Sequence, residues 1–529
     1  MNNDEGYVCG RFEKMKENKH SFLDRARECA ALTVPHLLPP DGFNETSELP
    51  TPFQSIGARG LRNLASKLLI SLFPPNQPFF KYSVDDYTID AIEAEAGELG
   101  RGEIESALAK RERAVMKEVE SSFFRTAAFE AFRQLLVAGN VLLYIPEDGS
   151  AEVYRLTEYC VSRDPQGTVL EIVLKQCFAP ETLPAEIQKL VSSEREPTGH
   201  KKTIDVYTYV KRTKKGKYET WQEAAGKIVP GSNAVYREDT LPWVALRLTK
   251  IDGENYGRGY VEEFLGDLIS LEGLSQTVLE GSAVIAKCVT MVNPNGITKA
   301  VDIAKAENGA VISGNPEDVT MFQAEKRADL SVAQQQIGDL QQRLSFAFLM
   351  NTAIQRNAER VTAQEVRYMA RELEDALGGM YSLLAQEFQL PMVRLFERRM
   401  EKNMKVPPLP KDITQPTIIT GIDALGRGQD LQNLDAFLIG LGEAFGPDVL
   451  GRYIQLSEAI KRRGAALGID MDNLVRSEEE VQQAEQQAQM QAMAQNLGPQ
   501  AVQAMAMMQG KQMDNDTKMA IEESKQQEK

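Results

Sequence analysis

The sequence predicts a mainly α-helical fold with β-rich insertions (α+β), and three features carry that expectation. An apolar stripe at helical spacing runs from Val361 to about Met400: Val366, Met369, Leu373, Leu377, Met380, Leu384, Phe388, Met392 and Leu395 recur three or four apart. A compact stretch with strand character, 288–323, is bracketed by two further amphipathic helices. Short strand candidates begin after Gly139-Asn140, where the long helical patterns of the preceding residues stop.

Taken in order, residues 1–37 read as helix, with Phe12, Met15, Phe22, Leu23, Ala26 and Cys29 on one side and Pro39-Pro40-Asp41-Gly42 as the stop. A second helix, 54–72, turns Ile56, Leu61, Leu64, Ala65, Leu68, Leu69 and Leu72 one way. It ends at Phe73-Pro74-Pro75, because proline pushes the residue before it out of the α region. Residues 93–139 are expected to be helical, charged at first and apolar from Phe123. Strands follow at 141–145, 152–156, 169–176, 203–212, 217–222 and 243–248, with a helix-like insert at 184–193, and together they make an antiparallel patch. Lys201-Lys202 and the lysines of 211–217 read as a solvated hairpin face in preference to a nucleic-acid contact. Gly257-Arg258-Gly259 opens a helix striped by Tyr260, Phe264, Leu268, Leu271, Leu274, Val278 and Val284. Strands at 288–293, 309–313 and 319–323 are expected around the turn Asn293-Pro294-Asn295-Gly296. The next helix starts near Asp329 and carries Val332, Ile337, Leu340, Leu344 and Phe348. The β unit is too small to hold its flanking helices apart, so the two should lie side by side, nearly antiparallel, and project it from the body. Residues 350–360 are a polar loop.

The helix that begins at Val361 has a marked start. In Thr362-Ala363-Gln364-Glu365 each of Thr362 and Glu365 can accept from the other's amide, and Val361 can staple to Val366. Gly378, Gly379 and Pro391 are the places for bends. Some forty residues at ~1.5 Å rise span roughly 60 Å. That exceeds an ordinary globular helix of about 8–20 residues, so the subunit should be elongated and lean on something large, such as copies of itself. Pro407-Pro408-Leu409-Pro410 is a stiff linker. Helices resume at 431–444, 448–467 and from Ser477, and the last twenty residues have the composition of a disordered tail.

With 529 residues there is room for two to four domains. Five cysteines without a CxxC pair read as free thiols. The polar start, 2–19, is no signal peptide, and the longest apolar run, 135–145, is too short for a bilayer, so neither secretion nor a membrane span is expected. The formal charge of −16 argues against a protein that grips DNA by neutralising phosphates. Either the chain has nothing to do with nucleic acid, or it lets DNA pass without holding it. Of three histidines, His20 lies four residues before Asp24 and His200 four after Glu196, but neither pair has a third ligand and there is no HExxH. No GxxxxGK[ST] or GxSxG occurs, Asp85-Asp86 reads as surface, and Gly257-Arg258-Gly259 reads as a tight turn in preference to a phosphate cradle. No catalytic residue, metal site or cofactor is assigned.

Four longer strings then stand out: Gln54 to Gly60 (QSIGARG) with Asn63 to Leu68 (NLASKL), Ala358 to Glu365 (AERVTAQE), Glu372 to Gly379 (ELEDALGG) followed by Gln389-Leu390-Pro391, and Gly421 to Asp430 (GIDALGRGQD). In this order they resemble the head-to-tail connectors, or portal proteins, of T7-like short-tailed bacteriophages, over about residues 10–480. The last fifty residues carry none of the resemblance. It implies a phage portal fold. The parts would be a wing (1–256), stem helices (257–287 and 327–348), a β-containing clip (288–326) and a channel loop (349–360). A long kinked wing helix (361–405), a crown (406–480) and a tail that is a helical barrel or disordered (481–529) complete it.

The resemblance also implies a non-enzymatic homo-oligomeric ring of about twelve subunits at one capsid vertex of the virion, made in the host cytoplasm. Double-stranded DNA would be packaged and later ejected through it. The large terminase subunit would dock first, tail adaptor and tail tube proteins afterwards. Scaffolding and major capsid proteins would assemble around it, and internal core proteins against it. A lumen of negative character would keep phosphates from sticking while a few cationic rings centre the duplex. Arg356, Arg360, Arg343, Arg327 and Lys326 are the candidates for those rings, the alternative being that they pair with acidic residues of a neighbouring subunit. The competing reading is a Mg²⁺-dependent DNA-processing enzyme.

Overall fold

The computed structural model describes residues 6–43, 46–75, 78–83, 101–183, 187–188, 203–286, 289–322, 327–350, 363–405, 417–420 and 427–446, with 454, 459–460, 463–464 and 487. It forms two compact units, 1–88 with 111–426, and 89–110 with 427–529.

The first unit opens with helices α1 (Tyr7–Ala31) and α2 (Ile56–Leu72) and strand β1 (Phe80–Ser83). Helix α3 (Arg101–Ser121) starts in the second unit, and α4 (Phe124–Ala138) follows. Nine strands come next: β2 (Asn140–Tyr144), β3 (Glu152–Tyr154), β4 (Tyr159–Arg163), β5 (Val169–Phe178), β6 (Ile204–Arg212), β7 (Tyr218–Ala224), β8 (Lys227–Ile228), β9 (Ala234–Tyr236) and β10 (Trp243–Arg247). Then come α5 (Tyr260–Glu263), α6 (Leu265–Ala286), β11 (Val289–Val292), α7 (Ala300–Lys305), β12 (Val319–Phe322) and α8 (Arg327–Ala347). The unit closes with α9 (Ala363–Leu377), α10 (Gly379–Leu384), a π-helical turn (Ala385–Gln389), α11 (Leu390–Lys402) and β13 (Thr417–Thr420). The second unit contains α12 (Arg427–Phe445), on which Asp435 pairs with Arg463 at 3.2 Å.

The main sheet runs β4-β5-β6-β7-β8, with β9 also on β7, and every pairing in it is antiparallel. A smaller sheet, β10-β2-β3, lies apart from it in hydrogen bonding. Helix α1 covers the main sheet: Val8, Phe12 and Met15 pack on Cys160, Val173, Tyr207 and Tyr209. The second packing centre is aromatic. Phe73 meets Phe79, Phe124, Phe132 and Phe388 at centroid distances of 5.0, 5.4, 6.1 and 5.2 Å, mostly edge to face, as the ring quadrupoles favour. The end of α2, α4 and the π turn are thereby packed into one core. Lysines 214, 215 and 217 stand exposed around the β6–β7 hairpin, whose turn is closed by Thr213 N–H to Lys217 O at 2.7 Å.

Several expectations need correction. The helix expected over 93–139 is broken at Phe123, which adopts a left-handed φ of 55°. Ser121 and Ser122 turn their hydroxyls back onto the carbonyls of Glu118 and Val119, a local alternative to continuing the helix. Residues 309–313 do not form a strand, having no ladder partner, and a short helix, α7, precedes them instead. The helix expected from Val361 is described from Ala363; it is interrupted at Gly378 and passes through a π turn ahead of Pro391, beside the marked bend residues. The β1–β13 pair, with Phe80 opposite Thr420, was not anticipated. Most of 184–193, Lys201, Lys202, Asp85, Asp86, the 407–410 linker, most of 448–467 and the expected helix from Ser477 lie outside the described residues. Among the described residues no helix is long and apolar enough to cross a membrane.

Candidate functional site

Helices α6 and α8 pack along each other with β11 and β12 paired antiparallel at one end. Their orientation is fixed by contacts at both ends. Asp267 near the start of α6 lies 3.6 Å from Arg343 near the end of α8, and Gly281 near the end of α6 leaves room for Leu330 near the start of α8. The pair is antiparallel. In the β module, the Asp318 carboxylate accepts from the amides of Ile297 and Thr298 at 2.9 and 3.2 Å, which fixes the turn after β11.

The other end of α8 is held by several side chains. Leu349 N–H donates to Phe346 O at 3.0 Å and Met350 N–H to Ser345 O at 2.8 Å. These two bonds make a Schellman ending, with Leu349 at the left-handed position, φ 51°, where glycine is usual. The last carbonyls are then taken by side chains. Tyr260 Oη donates to Ala347 O at 2.8 Å, and Asn63 Nδ2 donates to Phe348 O and Leu349 O, both at 3.0 Å. Lys67 Nζ donates to Leu349 O at 3.0 Å and pairs with Glu372 of α9 at 3.1 Å. A cation at a helix C-terminus is favoured by the helix dipole. Burial pushes the Tyr260 hydroxyl up to about 12, so it remains a neutral donor. Phe348 is fully buried against α2 at Gly60, where a Cβ would fall 2.5 Å from its ring.

The entry to α5 and α6 is also tightly built. Gly139 ends α4 at φ 70°, and a Cβ there would lie 2.3 Å from the Arg258 carbonyl carbon. Buried Asn140 donates to Ala138 O and Gly257 O, both at 2.9 Å, and accepts from Gly257 N–H at 2.8 Å. Gly257-Arg258-Gly259 is thus a close-packed joint, and Arg258 pairs with Glu254 at 3.1 Å while lying over the Phe22 ring. Glu272 of α6 accepts from the amides of Phe53 and Gln54 ahead of α2.

The structure places the sequence-derived candidates as follows. Arg343 is 63% exposed beside Asp267. Arg327 is the first residue of α8. Lys326, Arg356, Arg360 and Thr362 lie outside the described residues, and Glu365 sits half-buried in the first turn of α9. Gly378 takes φ 54°, ψ −134°, a conformation open mainly to glycine, and separates α9 from α10, which Gly379 begins. Pro391 is in the first turn of α11, directly after the π turn. Proline has no N–H and its ring presses on the carbonyl four residues back, and the wider π turn at 385–389 accommodates both without a break. The far end of α11 is tied to α3. Burial pulls the Arg111 guanidinium down, but Glu397 (2.6 Å) and Glu401 overcome it and hold it above its ordinary value. Sequence reasoning missed Gly60, Asn63, Lys67 and Glu372 as a group, although the first three stand at i, i+3 and i+7 on one face of α2.

A family profile described as bacteriophage head to tail connecting protein matches residues 6–475. The chain is 40% identical over 504 residues to the portal protein of Escherichia phage T7, spanning 93% of each. It is 40% identical over 476 residues to the portal protein of Enterobacteria phage T3, spanning 89% of this chain and 88% of that one. The portal protein of Enterobacteria phage SP6 is 30% identical over 484 residues, 91% of this chain and 92% of that one.

Proposed function

The chain belongs to the bacteriophage head to tail connecting protein family, and on that premise we propose that it closes into a ring of about twelve copies through which double-stranded DNA enters and leaves the capsid. It is a head-to-tail connector of the T7 type and a virion component of the portal vertex, not an enzyme. The competing DNA-processing reading falls with that assignment.

The observation that carries the ring is the character of α6. Its apolar residues point all ways: Leu268 and Leu271 are buried, whereas Ile269, Leu279 and Val284 are exposed, as are Val332 and Phe346 on α8. Exposed apolar side chains on two adjoining helices mark an interaction surface. Lateral packing of further copies supplies the cover. Helix α6 also carries Asp267, Glu272 and Glu280 and no basic residue, which suits a channel that must not hold phosphates. Over about twelve copies the formal charge amounts to roughly −190.

On this reading α6 and α8 are the stem, the β11–β12 module is the clip, and the sheets with α1–α4 and α9–α11 are the wing. Residues 349–360 are the channel loop, 406–480 the crown and 481–529 the tail. Arg356, Arg360, Arg343, Arg327 and Lys326 centre the duplex, and Gly378, Gly379 and Pro391 let the long helix bend. The clip receives the large terminase subunit and later the tail adaptor, and the ring nucleates procapsid assembly with scaffolding and major capsid proteins. Synthesis takes place in the host cytoplasm. Leu279→Glu with Val284→Glu is expected to shift the protein from a particle of many hundred kilodaltons to monomers on size exclusion with light scattering. Unchanged particles would remove α6 from the interface. Arg356→Ala with Arg360→Ala is expected to leave particles intact and lower DNA retention in packaging assays.

A further inference from the structure

We propose that Asn63 and Lys67 are positioning residues that set, from one face of α2, both the end of α8 and the placement of α9 against it. The inference rests on the portal reading and gives a task to the string around residues 54–68, which the function had not absorbed.

The two bonds from Asn63 and the one from Lys67 converge on the end of α8, while the same ammonium reaches Glu372 on α9. One side chain therefore bridges two elements whose bonded residues are 23 positions apart in the chain. Lys67 is only 8% exposed and Glu372 17%, so the pair is weakly screened, and removing the ammonium leaves the Glu372 carboxylate without it. The bonded carbonyl belongs to Leu349, held left-handed without being glycine. The Schellman bonds alone can hold such a residue, and here three side-chain bonds to adjacent carbonyls fix it further. Gly60 completes the arrangement, since any side chain there would drive α2 off Phe348 and lift Asn63 and Lys67 from their acceptors.

A purely structural clamp and a positioning clamp make different predictions. Lys67→Met leaves Glu372 without its ammonium and should lower stability. Adding Glu372→Gln removes the stranded charge and should return the melting temperature to near wild type. Positioning does not return, because the stem end and α9 are still unbridged. In rings of the double variant, amide exchange at 345–350 is expected to quicken about fivefold while the main sheet is unchanged, and DNA retention in packaging assays to fall by about the same factor. Lys67→Arg, which keeps the charge and the donors, should retain most function. If the double variant recovers exchange protection and packaging along with stability, Asn63 and Lys67 are ordinary packing residues and the proposal fails. If Lys67→Met does not assemble, the double variant, which lacks both charges of the pair, decides between the two by the same exchange and packaging readouts. Failure of the wild-type chain to form rings would overturn the portal reading itself, a result distinct from either of these.

Discussion

Leu349 and Met404 end α8 and α11 in the same way. Each takes a left-handed φ, 51° and 53°, inside a pair of Schellman hydrogen bonds. Left-handed backbone costs a branched or long side chain about 1 kcal/mol. Met404 is exposed to water, whereas Leu349 is locked by Asn63 and Lys67. Leu349→Gly should therefore raise stability by up to about 1 kcal/mol, and Leu349→Val should lower it, both read by thermal unfolding. Asn140→Ala should cost about 2–3 kcal/mol, since three buried backbone groups lose their partner. Arg343→Ala, by contrast, breaks an exposed pair at 3.6 Å and should move stability by less than about 0.5 kcal/mol, so any packaging defect it causes reports on its charge. Little of this scale was legible beforehand. The string at 54–68 flagged Asn63 and Lys67, but their acceptors are carbonyls more than 280 residues away, and no local pattern encodes a partner at that distance.

At the scale of elements, the apolar stripe after Val361 keeps one face while the backbone changes beneath it at Gly378 and at the π turn ahead of Pro391. Side chains can keep facing one core across a bend, so periodicity reports the face, while glycine and proline mark the bends. The two glycines read together as one bend have separate parts. A Cβ on either Gly378 or Gly379 would meet nothing within 4 Å, but only Gly378 has a positive φ. Gly378→Ala should then cost about 1–3 kcal/mol through the backbone alone, while Gly379→Ala should be neutral or stabilise by up to about 1 kcal/mol. Equal losses in chemical denaturation would contradict this division. The helix–β–helix order of α6, the β11–β12 module and α8 was legible because Gly257-Arg258-Gly259 and the turn at 293–296 mark the boundaries, although the apolar residues of α6 do not keep to one face. The 309–313 strand was misread because β propensity without a ladder partner does not make a strand. The β1–β13 pair was missed because its halves lie more than 330 residues apart.

For the whole molecule, composition and pattern gave the α+β class and excluded a phosphate-gripping protein. The length of the helical stripe pointed to a subunit that leans on others. Among the described residues nothing covers the exposed apolar side chains around α6, and assembly is proposed to supply that cover. End-on negative-stain images of the purified full-length protein test it most directly. Closed rings with a stain-filled centre and a rotational symmetry of about twelve are the expected result. A field of separate monomers, or of open filaments, would contradict it.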